Sequence, residues 1–216
     1  MVIVSEIYRT ILGESLDSGR PCVIVRLTGC HRRCAWCDSA HAFEGGEAFD
    51  VATLCARVAA LACPTVLVTG GEPLLQADAP ELLSRLRRAG YRVVLETSGT
   101  LGTAGLAAVP AGVRRVVDLK APGSGLPPDV IDWAGIARLG AGDELKVVCA
   151  DRVDYEWARD LTRAGRLPPA PSLALSPAVP ILAPRQLAAW ILEDGLDVRL
   201  QLQLHKWIWP ERDRGI

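Results

Sequence analysis

The chain has 216 residues, half of them hydrophobic and 23% charged, which fits one globular domain with a substantial core. Its 24 Lys and Arg against 25 Asp and Glu leave a formal net charge of −1, which argues against a nucleic-acid-binding protein. No apolar run approaches the roughly 20 residues of a membrane span, and Glu6 and Arg9 interrupt the order of a signal peptide. We therefore expect a cytoplasmic protein with neither a membrane nor a nucleic-acid partner.

Short apolar, β-branched segments alternate with longer segments of helical periodicity. The predicted strands are 2–9, 22–27, 66–69, 92–96, 115–119, 144–149, 172–176 and 198–204. The predicted helices are 51–61, 80–89, 151–164 and 184–192, with Asp50 and Asp78 at N-cap positions. Alternation of this kind predicts an α/β fold with a mainly parallel sheet. Since a complete eightfold barrel needs ~250 residues, we expect an incomplete, open parallel β/α barrel in a single domain spanning 1–216.

Polar and glycine-rich residues follow several of the predicted strands. In parallel α/β folds the active site lies at the carboxyl ends of the strands, so these residues are the candidates. The segments are 28–30, 69–73, 96–99, 118–120 and 205–206.

Three of the seven cysteines, Cys30, Cys34 and Cys37, are closely spaced in a loop at about 28–41. Thiolates bind zinc or iron–sulfur clusters, and His31 or His41 would supply a fourth zinc ligand. No second pair of cysteines with two residues between them follows, which favours a cluster with one iron left open. The remaining four lie singly among apolar neighbours and are predicted to be inert core thiols: Cys22, Cys55, Cys63 and Cys149.

The cysteine spacing resembles that of the radical S-adenosylmethionine (SAM) superfamily, in which three such cysteines hold a 4Fe-4S cluster and SAM binds the fourth iron. Segment 67–73, with two glycines that allow a ligand to approach the backbone, is similar to the superfamily's Gly-Gly-Glu motif. The resemblance implies that these residues contact or border the cofactor: Trp36, Asp38, Gly70, Gly71, Glu72, Asp118, Lys120 and Ser176.

Nearly the whole chain resembles the 7-carboxy-7-deazaguanine synthase family of that superfamily. The motifs are the opening segment 6–15, the strand 23–27, Cys-Asp-Ser at 37–39, Glu-Thr-Ser-Gly-Thr at 96–100 and the Gln-Leu-His-Lys ending at 203–206. The chain departs from the family at Leu12 and Ser176, each in place of Gln, and at Asp118-Leu119 in place of Ser-Pro. The resemblance implies that these residues contact a pterin substrate: Leu12, Gly13, Glu14, Arg26, Thr69, Glu96 and His205.

Three of these roles have a direct physical basis. Arginine binds a carboxylate through two parallel hydrogen bonds, which suits Arg26 to the substrate carboxylate that the resemblance assigns it. Glu96 would accept hydrogen bonds from the guanidine-like N–H groups of the pterin. The resemblance also implies that Ser39 ligates a Mg²⁺ ion, which takes oxygen donors and keeps several waters.

The resemblance implies ring contraction of 6-carboxy-5,6,7,8-tetrahydropterin to 7-carboxy-7-deazaguanine, with loss of ammonia, on the queuosine pathway. It assigns no side chain as catalytic, because the reduced cluster and SAM supply the radical that abstracts hydrogen from C6. It also implies an external, flavodoxin-like electron donor and a homodimer.

Two alternative functions stay open from the sequence. A glycyl-radical-enzyme activase would share the cysteine loop and the Thr-Gly-Gly-Glu-Pro turn at 69–73, but it has no need of Arg26. A zinc-stabilised binding module would use the cysteines and a histidine as a structural site.

Overall fold

A computed structural model of the chain describes residues 1–169, 171–212 and 214–215. Within these residues nine strands form one sheet. They are β1 (Val2–Ile11), β2 (Pro21–Leu27), β3 (Glu47–Phe49), β4 (Thr65–Gly70), β5 (Arg92–Thr97), β6 (Arg114–Leu119), β7 (Glu144–Cys149), β8 (Ser172–Pro177) and β9 (Arg199–Leu200).

The sheet is open and mainly parallel. Its order is β3-β1-β2-β4-β5-β6-β7-β8-β9. β1 runs antiparallel to β2 and β3, whereas the pairs from β2 onward are parallel. The edge strands β3 and β9 are not neighbours in this order, so the described sheet does not close on itself. The predicted fold class, an incomplete parallel β/α barrel, is confirmed.

Most of the described helices cover the outer face of the sheet. They are α1 (Val51–Ala60), α2 (Ala79–Arg88), α3 (Thr103–Ala107), α4 (Trp133–Ile136), α5 (Arg152–Arg163), α6 (Pro184–Glu193) and α7 (Leu204–Ile208). One apolar cluster packs α1 and α2 on β2, β4 and β5. A second packs α4, α5 and α6 on β6, β7 and β8. A smaller cluster occupies the opposite, concave face. All four predicted helices are present, each with bounds shifted by one or two residues.

Side-chain caps explain where two of the helices begin. Asp50 accepts a hydrogen bond from the Thr53 backbone N–H (2.9 Å), and Asp151 accepts one from that of Asp154 (3.0 Å). Asp78 precedes α2 but makes no such bond and instead pairs with the amino terminus. Pro80 removes one of the N–H donors that an N-cap residue would use.

The prediction of a last strand over 198–204 is wrong for most of its length. Only Arg199–Leu200 pairs with β8, and the chain enters α7 at Leu204. The Leu204 N–H donates to the Gly13 carbonyl (3.0 Å), which draws this segment away from the sheet edge. The three-residue strand β3 was not predicted, because so short a segment has no readable alternation. The other seven predicted strands are confirmed with small boundary shifts.

No helix in the described part of the chain combines the length and apolar character needed to cross a membrane. Outside the cysteine loop, Cys22, Cys63 and Cys149 are buried and Cys55 is partly buried. Burial raises the pKa of Cys22 to about 12 and also raises the pKa of Cys149. Cys22 and Cys149 therefore stay protonated at neutral pH, as expected of core residues.

Candidate active site

A cavity of about 720 Å³ lies at the carboxyl ends of the parallel strands, at the edge of the sheet where the cysteine loop begins. Residues from the strand ends, the cysteine loop and α7 line it. Most of the residues singled out from the sequence meet there: Gly13, Glu14, Arg26, Cys30, Cys34, Trp36, Cys37, Asp38, Ser39, Thr69, Gly70, Gly71, Glu96, Asp118, Lys120 and His205. Leu12, Glu72 and Ser176 are not among the lining residues.

Strand geometry accounts for the polar character of this cavity. The concave face first carries an apolar layer that includes Ile24, Leu67, Val94 and Val116. Because side chains alternate between faces, the residue two positions later returns to the same face. These next residues are Arg26, Thr69, Glu96 and Asp118, and all of them line the cavity. The apolar layer therefore forms the floor beneath a layer of polar side chains.

The cysteine loop leaves β2 through Gly29, whose φ of 97° is a conformation that favours glycine. Its backbone is held at two points: the Gly29 N–H donates to Ala42 (2.8 Å), and the Ala35 N–H donates to Ser124 (3.0 Å). Cys30 and Cys34 are half-buried and Cys37 is exposed. All three line the same cavity.

The donor set of this loop fits an iron–sulfur cluster better than a single metal ion. Within the described residues, no three His, Cys, Asp or Glu side chains are placed to hold one ion. A zinc site needs its ligands converged on one centre, whereas a cluster bridges thiolates that are further apart. Burial raises the pKa of Cys34, and Lys120 partly opposes this by favouring the thiolate. Three thiols on one wall with a nearby cation suit a thiolate-ligated cluster.

Gly70 and Gly71 allow the end of β4 to lie against the end of β2. A Cβ atom on Gly70 would lie 2.2 Å from the Leu27 carbonyl oxygen, and one on Gly71 would lie 2.3 Å from that of Gly29. The backbone is hydrogen-bonded across this contact, since the Glu72 N–H donates to the Gly29 carbonyl (2.7 Å). The paired glycines thus fix the cysteine loop directly beside the β4 end.

Glu72 lies behind the cavity wall. Its buried carboxylate accepts hydrogen bonds from Thr97 Oγ1 (2.8 Å), the Ser98 N–H (2.8 Å), Ser98 Oγ (2.6 Å) and the Leu74 N–H (3.1 Å). These bonds occupy the carboxylate, and the cofactor contact that the resemblance implies for this motif, through its backbone groups, stays a prediction. The side chain instead positions Thr97 and Ser98, which do line the cavity.

Arg26 is held by a network that includes Ser39. Its Nε donates to Glu6 (2.9 Å) and its Nη1 donates to Ser39 Oγ (3.2 Å). His41 Nε2 lies 3.1 Å from the same Glu6 oxygen. Burial raises the pKa of Glu6, but His41 and Arg26 lower it by more, so Glu6 stays ionised. The guanidinium and the Ser39 hydroxyl are therefore placed side by side on the cavity wall.

Two acidic side chains and a lysine also line the cavity. Lys146 of β7 forms a buried ion pair with Glu14. Glu96 accepts a hydrogen bond from Thr69 Oγ1 (3.2 Å). Burial raises the pKa of Glu96 and Glu14 raises it further, while Lys146 and Arg26 oppose the shift.

Two further ion pairs border the cavity. Lys120 donates to Asp118 (2.8 Å), and Lys206 lies 3.3 Å from Asp38. Burial lowers the pKa of Lys120, but Asp118 raises it by more, so the ammonium is retained. The second carboxylate oxygen of Asp118 is buried without a hydrogen-bond partner in the described structure. It is a free acceptor at the cavity wall.

His205 reaches the cavity from α7 and not from a strand, which corrects the predicted position. Its ring packs on Gly13, where a Cβ atom would lie 2.2 Å from Nδ1. Burial lowers the pKa of His205, although Glu14 and Asp38 oppose this, so the neutral imidazole is favoured. The loop after β1 and α7 therefore depend on each other for their shape.

Two other residues predicted as contacts, Leu12 and Ser176, do not line the cavity. Leu12 packs in the apolar layer with Ile24 and Leu67 and is 1% exposed, since a leucine is stabilised there and not at a polar wall. Ser176 is buried in β8, and Ala178 and Val179, which follow the strand, reach the cavity in its place. Neither side chain is placed to contact a ligand in this cavity.

Two functional candidates were missed from the sequence, Lys146 and Glu6. Ser98 lies in the candidate segment 96–99, but no role was predicted for it. A charged residue inside the apolar run 144–149 could have identified Lys146. Nothing local distinguishes Glu6 or Ser98, whose partners Arg26 and Glu72 are more than 18 residues away.

Comparison with known proteins gives consistent results. Residues 24–124 match the radical SAM superfamily. The chain is 42% identical to the 7-carboxy-7-deazaguanine synthase of Koribacter versatilis (strain Ellin345) over 99% of both chains. It is 40% identical to the enzyme of the same name from Chlorobaculum tepidum, over 99% of this chain and 96% of that one.

The fold has a solved counterpart. The crystal structure of QueE from Escherichia coli superposes with a TM-score of 0.74 at 22% identity, covering 94% of this chain and 93% of that one. At this identity the likeness concerns the fold, whereas the full-length sequence matches concern the family.

Proposed function

The chain belongs to the 7-carboxy-7-deazaguanine synthase family of radical SAM enzymes, and we propose that it converts 6-carboxy-5,6,7,8-tetrahydropterin into 7-carboxy-7-deazaguanine. The conversion releases one molecule of ammonia and is otherwise an isomerisation, so it needs no net oxidant. The observation that carries the proposal is that the three-cysteine loop, Arg26 and Glu96 line one cavity.

The superfamily implies a 4Fe-4S cluster and SAM. Cys30, Cys34 and Cys37 would hold the cluster, leaving one iron for SAM. Gly70 and Gly71 support SAM binding because both line the cavity and neither has a side chain that would keep a ligand from the backbone. When bound, the cluster and SAM supply the radical that abstracts hydrogen from C6 of the pterin. Trp36, Asp38, Asp118 and Lys120 would border SAM from the same side of the cavity.

The protein's own task is to bind and orient the pterin. Arg26 would donate two hydrogen bonds to its carboxylate, and the adjacent Ser39 would ligate a Mg²⁺ ion that contacts the same group. Glu14, Thr69, Glu96, Gly13 and His205 would surround the ring. Fixing the carboxylate determines which hydrogen faces the radical.

The remaining parts of the proposal concern context. We propose that the chain acts as one domain and as a homodimer in the cytoplasm, and that a flavodoxin-like protein reduces the cluster. The exposed Trp207 and Ile208 of α7 support a protein contact near the cavity.

The test is an anaerobic assay of the reconstituted protein with SAM, a reductant, Mg²⁺ and the carboxytetrahydropterin. We expect 7-carboxy-7-deazaguanine by mass spectrometry, dependent on SAM and reductant and stimulated by Mg²⁺. If 5′-deoxyadenosine forms without any deazapurine, the assigned substrate is wrong. If neither product forms although the cluster is intact, the radical chemistry itself is refuted.

A further inference from the structure

Among the described residues of β7 that line the cavity, Lys146 is the one with a charged side chain. It is 8% exposed and pairs with Glu14, 132 residues earlier in the chain. A lysine is rarely buried to this degree unless a negative charge holds it. Its position therefore depends on the carboxylates around it.

Charged groups from five other parts of the chain lie near this lysine. Glu14 follows β1, Asp38 lies in the cysteine loop, Glu96 lies on β5, Asp118 and Lys120 lie at the end of β6, and His205 lies on α7. Although burial lowers the pKa of Lys146, the carboxylates of Glu14 and Glu96 raise it by more, so it remains an ammonium. Glu96 is also faced by Arg26 and receives the Thr69 hydrogen bond.

Without this ammonium near them, Glu14 and Glu96 would repel one another, and one of them would bind a proton. A protonated carboxyl donates a hydrogen bond, whereas an ionised one only accepts. The lysine therefore decides whether this wall presents two acceptors or an acceptor and a donor.

We propose that Lys146 is a specificity-determining positioning residue: it keeps Glu14 and Glu96 as a pair of hydrogen-bond acceptors that selects the 2-amino, N3–H edge of a pterin. The inference deepens the proposed function and rests on it. A 2-oxo analogue presents an acceptor where the pterin presents a donor, and this wall rejects it because acceptors would face one another.

The pH dependence follows from the same charges. Burial and Glu14 raise the pKa of Glu96, and Lys146 lowers it. Removing the lysine therefore raises the pKa of Glu96 further. As the pH is lowered, pterin binding to the variant should therefore begin to fall at a higher pH than binding to the unaltered protein.

The experiment measures binding of two probes to the anaerobically reconstituted protein with SAM present: 6-carboxypterin and its 2-oxo analogue, 6-carboxylumazine. The variants are Lys146→Met, Lys146→Arg and the uncharged pair Glu14→Gln with Lys146→Met. Arg115→Met is the matched control, because it removes the cation from a buried ion pair with Asp143 that lies outside the cavity. The melting temperature of each protein accompanies its binding data.

We expect the unaltered protein and the Arg115→Met variant to prefer the pterin, and Lys146→Met to lose about tenfold or more of this preference. Lys146→Arg should retain most of it. The double variant should regain melting temperature relative to Lys146→Met but not the preference, since glutamine offers only one acceptor.

Two outcomes would overturn the inference while leaving the function intact. One is an unchanged pterin preference in Lys146→Met with a lowered melting temperature, which would make the ion pair structural only. The other is recovery of the preference in the double variant. If the unaltered protein binds neither probe, the proposed function fails instead.

Discussion

Gly71→Ala tests the close contact between the ends of β2 and β4. The new Cβ atom would lie 2.3 Å from the Gly29 carbonyl oxygen, 2.7 Å from the carbon of that carbonyl and 2.8 Å from the Cβ of Cys30. Overpacking costs ~1–3 kcal/mol, and we expect ~3 kcal/mol here because two of the three obstructing atoms are backbone. The Gly29 carbonyl must also shift, which strains the hydrogen bond that it accepts from Glu72.

The magnitude is measurable by thermal denaturation of the cluster-free protein. For a domain of this length ~1 kcal/mol changes the melting temperature by ~2–4 °C, so we expect a decrease of ~6–12 °C. The displaced turn carries Cys30, and we therefore also expect less iron after anaerobic reconstitution. Gly142→Ala is the matched control, since its Cβ would have no neighbour within 4 Å and its φ is not positive.

The reasoning would be refuted if the Gly71→Ala protein melted within the error of the Gly142→Ala control and bound the same amount of iron. That result would mean that β4 can move away from β2 at no cost. A lowered melting temperature with full iron content would support the close packing of β4 on β2. It would contradict the expectation that displacement of the turn impairs cluster binding.

The remaining predictions concern the cluster, the substrate and acid stability. Cys34→Ala should abolish both the visible absorbance of the cluster and turnover; retention of either would contradict the assigned ligands. Arg26→Ala should weaken substrate binding about tenfold to a hundredfold, as a raised KM, because it removes charge-assisted hydrogen bonds worth ~1.5–3 kcal/mol. Burial raises the pKa of Asp143, but Arg115 and Gly140 lower it by more, so the pKa is lower in the folded state than in the unfolded chain. The ionised carboxylate therefore stabilises the fold above pH ~4, and this stabilisation is lost as the pH falls through the folded-state pKa. Asp143→Asn should therefore lower the melting temperature at pH 7, and the difference from the unaltered protein should disappear in acid.

Much of the fold was predictable because its signals are local. Seven strands and four helices follow from period-two and helical patterns, and Asp50 and Asp151 cap helices through contacts three residues away. The last segment was mispredicted because its alternating Gln and Leu residues fit a strand equally well. Its helix depends on the bond from Leu204 to Gly13, a partner 191 residues distant that no local pattern reveals.

The candidate site divides in the same way. The three cysteines and the paired glycines each lie within a short segment, so both groups could be identified from the sequence. The resemblance also identified Glu72, Leu12 and Ser176 as contacts, but the structure buries these side chains behind the wall or in the core. Which face a side chain occupies depends on strand register, and one position of shift reverses it.

The alternation of strands and helices, the cysteine loop and the glycine turn can be predicted from the sequence alone, because each depends on residues close together in the chain. Which charged side chains form ion pairs and hydrogen bonds in the cavity depends on the tertiary structure. The ion pair of Glu14 with Lys146 and the bonds of Arg26 with Glu6 and Ser39 join different strands and loops. They exist because the parallel register brings the carboxyl ends of β2 to β7 to one edge, where side chains two residues beyond the apolar layer converge on a single cavity.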